Sequence, residues 1–422
     1  MKISSFAKKF NVSIDTVRYY MNLGLLIPLK PGIYYEFDQT CEEDMNLITE
    51  LKSFEFTLNE IREIIDLKRI TLLRDHEDLD FYMQLLERKK AGISYEISKL
   101  QSTIQKIDQK TEVLRQKETN KTSVGFSISF LPFLRCPVCS GPLQFQNALI
   151  HNESIIDGSI HCTCGYHAEI HKGILYAPNL DNSIQNSAYL YEQKTVGELS
   201  PELVNMIEKC SLFTYQNLKN VDLTNKMILE PCIDTFVFLP KYLHLLQENA
   251  FYVFCGSKEE MIKKLKAKID SINPGLKVLY IVNSSLHLPF ANNSVDYLID
   301  SISFNDYALF NNIFPLAKLT KICKEDAIII GCSTYYRHGA KSIRKMKELY
   351  PNAYLKNFEK DFIKDNISNY QFQLERNCLI GEIKQPGIYI EHHVKEETAF
   401  FEGYIANRMK PLCYSSLRQK LR

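Results

Sequence analysis

Four of the twelve cysteines stand in two tight pairs, Cys136-Pro-Val-Cys139 and Cys162-Thr-Cys164, with twenty-two residues between the pairs. Thiolates on two short turns suit the tetrahedral, all-sulfur coordination of a structural zinc ion, with no open position for catalysis. Two other readings stay open at this point: a CxxC redox pair, and small buried thiols with no ligand. His161 and His167 are near enough in sequence to replace one cysteine. His392-His393 has no matching partners and is assigned no metal.

A second group could grip nucleic acid. Phe6, Ala7 and Phe10 mark the apolar side of a short helix, Asn11-Val12-Ser13 a turn, and Ser13 an N-cap for the next helix. That helix carries Thr16, Arg18, Tyr19 and Tyr20. Arginine pairs with phosphate or guanine through two N–H groups, and Ser, Thr and Tyr hydroxyls are common phosphate ligands. Gly24 to Gly32 then reads as a turn, and Ile33-Tyr34-Tyr35-Glu36 as a ribbon suited to a wing. The candidate DNA contacts are Lys8, Ser13, Thr16, Arg18, Tyr19, Lys30, Tyr34 and Tyr35, with Tyr20 expected in the core. Residues 1–31 hold five Lys or Arg and one Asp, a net +4, whereas residues 32–68 hold three bases and ten acids. The acidity therefore belongs to helices behind the reading face.

These groups need elements to hold them. Ile93, Ile97, Leu100, Ile104, Ile107, Thr111 and Leu114 step by 4, 3, 4, 3, 4, 3, the a/d seam of a coiled coil. Leu79, Met83 and Leu86 extend the seam backwards, and Lys90 interrupts it. About forty helical residues span roughly 60 Å, and one narrow apolar stripe of that length calls for a partner. A homodimeric coil is expected, the alternative being a helix laid on another part of the chain. Thr119 to Ser123 reads as its linker. Further on, apolar runs at 226–231, 250–256, 277–283, 295–304 and 327–332 alternate with helical stretches such as Glu259 to Ile269 and Phe314 to Cys323. That alternation predicts a doubly wound parallel sheet.

The whole chain has 422 residues, a prior of about three domains. Its 45% hydrophobic and 24% charged residues exclude a disordered or disulfide-stapled class. The formal charge of +1 gives no signal for nucleic acid on its own, and only division by segment exposes the basic face. No signal-peptide core and no apolar run of membrane-spanning length occurs, so a cytoplasmic protein with reduced thiols and no membrane partner is expected.

The head resembles the DNA-binding domain of the MerR family of bacterial transcription regulators. The resemblance is carried by Ile3, Ala7, Val12-Ser13, Thr16-Val17-Arg18-Tyr19-Tyr20, Gly24-Leu25-Leu26-Ile27-Pro28, Gly32, Asp38, Glu43-Asp44, Leu51, Phe56-Thr57-Leu58 and Glu60-Ile61. It implies a homodimer, joined by an antiparallel helix, that binds double-stranded promoter DNA and distorts an over-long spacer for RNA polymerase. One departure is the ribbon: where that family carries Arg soon after Gly-Tyr, this chain reads Gly32-Ile33-Tyr34-Tyr35-Glu36. The cysteine region, with CPVC-x-GPL and His171-Lys172-Gly173-Ile174-Leu175, is similar to the zinc ribbon of certain ribosomal-RNA guanine methyltransferases.

Residues 186–340 resemble class I S-adenosylmethionine-dependent methyltransferases, most clearly over Leu288 to Asp296. Such enzymes need a glycine-rich turn after strand 1, yet Leu229 to Phe236 contains no glycine. The place of the strand-2 acid falls on Cys255; Asn283 could still serve at the end of strand 3. The expectation is therefore a chain that is not an enzyme and a domain without S-adenosylmethionine, the alternative being an active nucleic-acid methyltransferase. A small-molecule effector pocket would be lined by Glu230, Asp234, Cys255, Asn283 and His287 at the carboxyl-edge crevice. The expected order is a winged helix-turn-helix head (1–68), a coiled-coil dimerisation helix and linker (69–121), a zinc ribbon (122–180) and a methyltransferase-like, non-catalytic Rossmann-like sheet (181–422). The class is multidomain α+β and α/β.

Overall fold

The computed structural model describes residues 1–71, 76–119, 124–181, 199–388 and 390–409, with backbone alone for 114–119. Leu114 of the seam, as a side chain, and most of the expected 119–123 linker lie outside the described residues. The chain divides into two compact units, Met1–Gln116 and Lys117–Arg422.

The first unit begins with α1 (Ile3–Lys9) and α2 (Ile14–Asn22). Ser13 caps α2 by accepting from the Thr16 amide at 2.9 Å. Gly24 follows α2 at φ +75°, a left-handed conformation that an L side chain resists, and it turns the chain so that Leu25 and Leu26 enter the core. Then come α3 (Gln39–Ser53), α4 (Leu58–Thr71) and α5 (His76–Thr119). Asp38 caps α3 through the Cys41 amide, 3.0 Å. Before α4 a capping box closes, the Thr57 amide donating to Glu60 Oε2 at 2.7 Å. Phe6, Val17, Leu25, Met45, Ile48 and Ile61 share one core. Arg69 of α4 locks the Gly24 corner: Nη1 donates to the Gly24 carbonyl at 2.6 Å, and Nη2 to Leu25 O at 2.8 Å and Asp44 Oδ2 at 2.7 Å.

The second unit is one sheet of twelve strands. Its strands are β1 (Phe126–Ser127), β2 (Gln144–His151), β3 (Ser154–His161), β4 (His167–His171) and β5 (Ile174–Tyr176), then β6 (Met227–Glu230), β7 (Phe251–Gly256), β8 (Lys277–Val282), β9 (Val295–Ser301), β10 (Cys323–Tyr336), β11 (Phe372–Ile383) and β12 (Ala399–Arg408). The helices are α6 (Pro201–Leu218), α7 (Glu259–Ile272), α8 (Ser303–Asn311), α9 (Leu316–Leu319), α10 (Lys341–Leu349) and α11 (Phe362–Asn369). The order β5-β8-β7-β6-β9-β10-β12-β11 runs parallel from β5 to β10 and antiparallel beyond. With β6 as first strand, β8-β7-β6-β9-β10 is a doubly wound 3-2-1-4-5 order whose direction reverses between β6 and β9. The parallel strands are buried on both faces, which is why they read as continuous apolar runs rather than alternating ones.

The cysteine-bearing segment is not separated from this sheet. Strand β5 pairs with β8, Ile174 opposite Tyr280, and so extends the parallel sheet by one strand. Leu134 bridges to Phe290, and the Arg135 amide donates to Pro289 O at 3.0 Å. Three expected elements differ in extent. The 295–304 run leaves the sheet after Ser301, because Asp300 accepts from the Phe304 amide at 2.9 Å and starts α8 through Ile302 at φ +66°. The 327–332 run is longer, since β9 and β12 flank β10 on both sides. The 314–323 helix shortens to α9, and Cys323 already belongs to β10.

Candidate nucleic-acid face, metal cluster and carboxyl-edge cavity

On the head, α2 presents Arg18 and Tyr19 to solvent while Val17 and Tyr20 enter the core. The side is chosen by helical period: positions 17 and 20 share the buried stripe, and 18 and 19 lie off it. Arg18 Nη1 is 3.2 Å from Asp15 Oδ1, an exposed pair that a phosphate can displace. Thr16 Oγ1 and Ser13 Oγ are 2.8 Å apart at the exposed start of α2. The ribbon is minimal, with Leu29 and Glu36 exchanging both backbone hydrogen bonds at 3.0 and 2.8 Å. Its tip exposes Ile33, Tyr34 and Tyr35, and Lys30 Nζ lies 5.2 Å above the Tyr35 ring. Lys8 is exposed on α1. Tyr20, expected as core, is buried and accepts from Lys52 Nζ at 3.2 Å.

The four cysteines converge. Their sulfurs all lie within 4.8 Å of one another. Cys136 Sγ and Cys164 Sγ are 3.4 Å apart, as are Cys139 Sγ and Cys162 Sγ. Each pair rides a tight turn: the Ser140 amide donates to Cys136 O at 2.8 Å, and the Gly165 amide to Cys162 O at 3.0 Å. A tetrahedron with metal–sulfur bonds of about 2.3 Å has edges of about 3.8 Å, close to the separations observed. Gly141 leaves the space, since a Cβ there would sit 3.2 Å from Cys139 Sγ and 3.7 Å from Cys162 Sγ. The donor set therefore fits a metal ion such as zinc. The one-residue spacer of the second pair is accommodated by Gly165 at φ +95°. His161 and His167 pair instead with each other, Nδ1 to Nδ1 at 3.1 Å. The Cys164 amide, more than any other group, lowers the Cys162 thiol to about 7, which favours a thiolate.

At the carboxyl edge each of the five expected pocket residues has a partner within the fold. Glu230, at the end of β6, is fully buried and accepts from the Phe238 and Leu239 amides at 2.6 and 3.3 Å. Burial pushes its carboxyl up to about 7. Asp234 folds onto the start of α7, accepting from the Ser257 and Lys258 amides at 2.8 and 2.9 Å. Cys255 is buried, its thiol 3.6 Å from the Asn283 carbonyl. Asn283 donates through Nδ2 to Ala177 O and Pro178 O at 3.3 and 3.1 Å. His287 Nε2 is 3.2 Å from Asp181 Oδ2 and 3.0 Å from Lys318 Nζ. Spacing placed these residues at strand ends; it could not show that loops 177–181 and 231–239 reach across to take their polar groups.

Sequence reasoning missed two features here. Asp300, at the end of β9, is fully buried and held by Tyr404 Oη at 2.6 Å and Ser303 Oγ at 3.0 Å, and burial raises its carboxyl to about 7. The Cβ of any side chain at Gly331 would fall 2.7 Å from Asp300 Cβ, so the glycine is what admits this contact. The second feature is a cavity of about 40 Å³ beyond β6, β9 and β10, whose wall includes Thr235, Asp306 and Tyr336. No strand-end motif announces it, because its wall also draws on the distant 390–401 segment.

A buried-stripe helix pair with a basic outer face, a four-thiol cluster and a doubly wound sheet together define a modular chain with a DNA-binding type of head. The comparisons agree. Residues 1–68 match the model described as MerR HTH family regulatory protein, so the N-terminal head is a MerR-type helix-turn-helix domain. No curated protein matches the chain. Solved structures match over its C-terminal half. They include MccD protein, 14% identical, covering 50% of this chain and 99% of that one, TM-score 0.34. An S-adenosylmethionine-dependent methyltransferase from Aquifex aeolicus is 14% identical over 53% of this chain and 100% of its own, TM-score 0.33. Geranyl diphosphate C-methyltransferase from Streptomyces coelicolor A3(2) is 7% identical over 47% and 75%, TM-score 0.34.

These neighbours correct one expectation from the sequence. The missing glycine-rich turn led to the expectation that the chain is not an enzyme, and that expectation does not stand beside matching structures that include methyltransferases. Ile233 and Asp234 close the first turn over the end of β7, with the Ile233 amide donating to Cys255 O at 3.0 Å and Asp234 accepting from the Ser257 amide at 2.8 Å. Among the described residues, no helix is long and apolar enough to cross a membrane.

Proposed function

We propose that this chain is a cytoplasmic, homodimeric transcription regulator that binds promoter DNA through α2 and the 29–36 ribbon acting as a wing. The C-terminal unit acts as its small-molecule sensor. The observation that carries this reading is the exposed pair Arg18 and Tyr19 on a capped helix within a segment of net charge +4. Lys8, Ser13, Thr16, Lys30, Tyr34 and Tyr35 ring the same face and supply phosphate contacts, which position the head while Arg18 reads a base edge or its phosphate.

Dimerisation runs through α5. Ile97, Leu100, Ile104 and Ile107 are each half exposed or more in the single chain, an unpaired seam that a second copy covers. A groove of about 670 Å³ beside this seam is mixed in character, lined by Phe56, Leu85 and Ile93 together with charged residues such as Glu60, Glu63 and Lys89. The chain is read as functional segments 1–68, 69–121, 122–180 and 181–422, the third sharing its sheet with the fourth, and the metal of the third is one structural zinc held by Cys136, Cys139, Cys162 and Cys164. Effector binding shifts a two-state equilibrium that sets the spacing of the two heads, and RNA polymerase is reached only indirectly, through the DNA they distort.

Fluorescence anisotropy with the duplex upstream of the protein's own reading frame tests this, with and without competitor DNA. Saturable binding of two chains per site, steeply weakened by salt, is expected. Binding indifferent to sequence would sink the regulator reading. Titration with S-adenosylmethionine and a labelled-methyl assay on RNA test the alternative, an active nucleic-acid methyltransferase. Metal analysis should return about one zinc per chain.

A further inference from the structure

Away from the thiols and the carboxyl edge, the β3–β4 hairpin carries a second convergence of ligand-type side chains. Asp157, Ser159 and His161 alternate along β3, and His167, Glu169 and His171 along β4, so they share one face while Ile160, Ala168 and Ile170 enter the core. Register sets His161 opposite His167 and Ser159 opposite Glu169. The two imidazoles meet through their inner nitrogens, Nδ1 to Nδ1 at 3.1 Å, with ring centroids 4.3 Å apart. Their outer nitrogens are both held from behind, His167 Nε2 by Glu169 Oε1 and His161 Nε2 by Ser159 Oγ at 2.9 Å. The Cys162–Cys164 turn closes the hairpin, and the Cys162 amide donates to Tyr166 O at 2.9 Å. The register on which the pair depends is therefore anchored beside it.

A carboxylate only accepts, so a neutral His167 carries its hydrogen on Nε2 and turns the lone pair of Nδ1 toward His161. Ser159 can accept from His161 Nε2 in the same way, which bares the second Nδ1. Two bare nitrogens face to face repel each other and need a cation between them. One shared proton is the simplest occupant, and a metal ion takes its place by releasing that proton to solvent. The spacing fits a metal: two nitrogens bound at about 2.0–2.1 Å to one ion, at angles of about 90–109°, lie about 2.8–3.4 Å apart. A partner on the far nitrogen is also what orients a histidine ligand and raises its basicity. Imidazole suits zinc, nickel and copper, whereas magnesium and calcium take oxygen ligands. The His167 and Glu169 side chains are each 45% exposed, so an ion reaches the pair from solvent. We propose that His161 and His167 form a second metal site, in which one divalent transition-metal ion is held by the two Nδ1 atoms and water completes its shell. Unlike the four-thiol cluster, this site keeps exchangeable positions. Glu169 acts as a positioning residue.

The test uses the full-length protein with zinc on its thiols, nickel chloride as probe and magnesium chloride as the hard-ion control. Calorimetry should show saturable uptake of about one nickel ion per chain, no uptake of magnesium, and no release of zinc. His161→Ala and His167→Ala should each abolish the nickel isotherm, and His151→Ala on the neighbouring strand should leave it unchanged. Glu169→Gln should weaken nickel by about tenfold, the cost of losing an outer partner, with the melting transition unmoved. Nickel binding indifferent to both histidine substitutions overturns the proposal. So does displacement of zinc without uptake of a further metal, and so does the absence of saturable binding, which would leave the pair with a proton only. If the histidine variants do not fold, the parent protein decides by proton magnetic resonance. Paramagnetic nickel should broaden the ring signals of His161 and His167 before those of the other eight of the ten histidines. Equal broadening of all of them overturns the site.

Discussion

Arg18 and Glu230 show how much a single residue's surroundings decide. Both are charged residues in regular elements, and one is exposed while the other is sealed. Arg18→Ala removes the guanidinium that faces outward beside Asp15. Operator affinity should fall by about ten- to a hundredfold, the range of 1–3 kcal/mol for a lost arginine contact. If that contact is to phosphate, the slope of log affinity against log salt should also fall by about one. A helix in which Arg18 is merely solvated would show neither change. Glu230 and Asp300 make the opposite case. Both carboxyls rise to about 7 in the fold, from ordinary values of 4.5 and 3.8. The folded state therefore holds more protons than the unfolded one between about pH 4 and 7. Stability of the C-terminal unit should fall as pH rises through that window and level off above it, by on the order of 3 kcal/mol per group. Glu230→Gln cannot ionise and should flatten much of that slope in denaturant titrations at fixed zinc. An unchanged slope would mean that the carboxyl is not sealed by the 231–239 turn.

At the scale of elements, α5 leaves a stripe of apolar positions exposed in the single chain. Its 44 residues extend about 66 Å at 1.5 Å per residue. Along that length Ile97 and Ile104 are 50% and 57% exposed in the single chain. Introducing Ile97→Asp and Ile104→Asp together places two charges in the seam. Light scattering should then report a monomer where the parent is a dimer, with operator affinity reduced at least about a hundredfold through loss of the second head. A double variant that stays dimeric would move the interface elsewhere. The cysteine turns depend on neighbouring elements as well. Cys136→Ser should lower the zinc content from about one per chain toward none and lower the melting temperature of the unit that contains β1 to β5. Retained zinc would show that the three remaining thiols, with His161 or His167, suffice.

For the whole molecule, the chain divides into two compact units after Gln116. The core of the first is closed within itself, from Phe6 to Ile65 with Tyr82, Leu85 and Leu86 packed against it. A fragment of residues 1–116 should therefore fold alone, give a strongly helical circular dichroism spectrum, and bind operator with the same salt slope as the full chain. It should lose any response to effector. A fragment that is unfolded, or that responds like the parent, would contradict this division.

Local chemistry is what the sequence by itself determined. A cap, a corner glycine and a charge count made the reading helix legible, because Ser13, Gly24 and the +4 face act within a few residues of where they stand. The apolar runs of the parallel strands and the helical period of α5 were legible for the same reason, since period is a property of one element. The cysteine set was legible as a group, though only the fold brings residues 136 and 164 together at 3.4 Å and leaves the histidines to each other. The tertiary structure alone decided which groups the residues at the crevice pair with. Strand ends placed Glu230, Cys255 and Asn283 in register, yet backbone groups from 177–178 and 238–239 pair with two of them, and the third is buried beneath the 283 carbonyl. It also decided the cavity at Asp306, whose walls come from residues up to 198 positions apart in the chain, Leu203 and Phe401. Hydrogen-bond competition and packing between distant segments leave no period and no spacing in a sequence, and so they become readable only when the chain is folded.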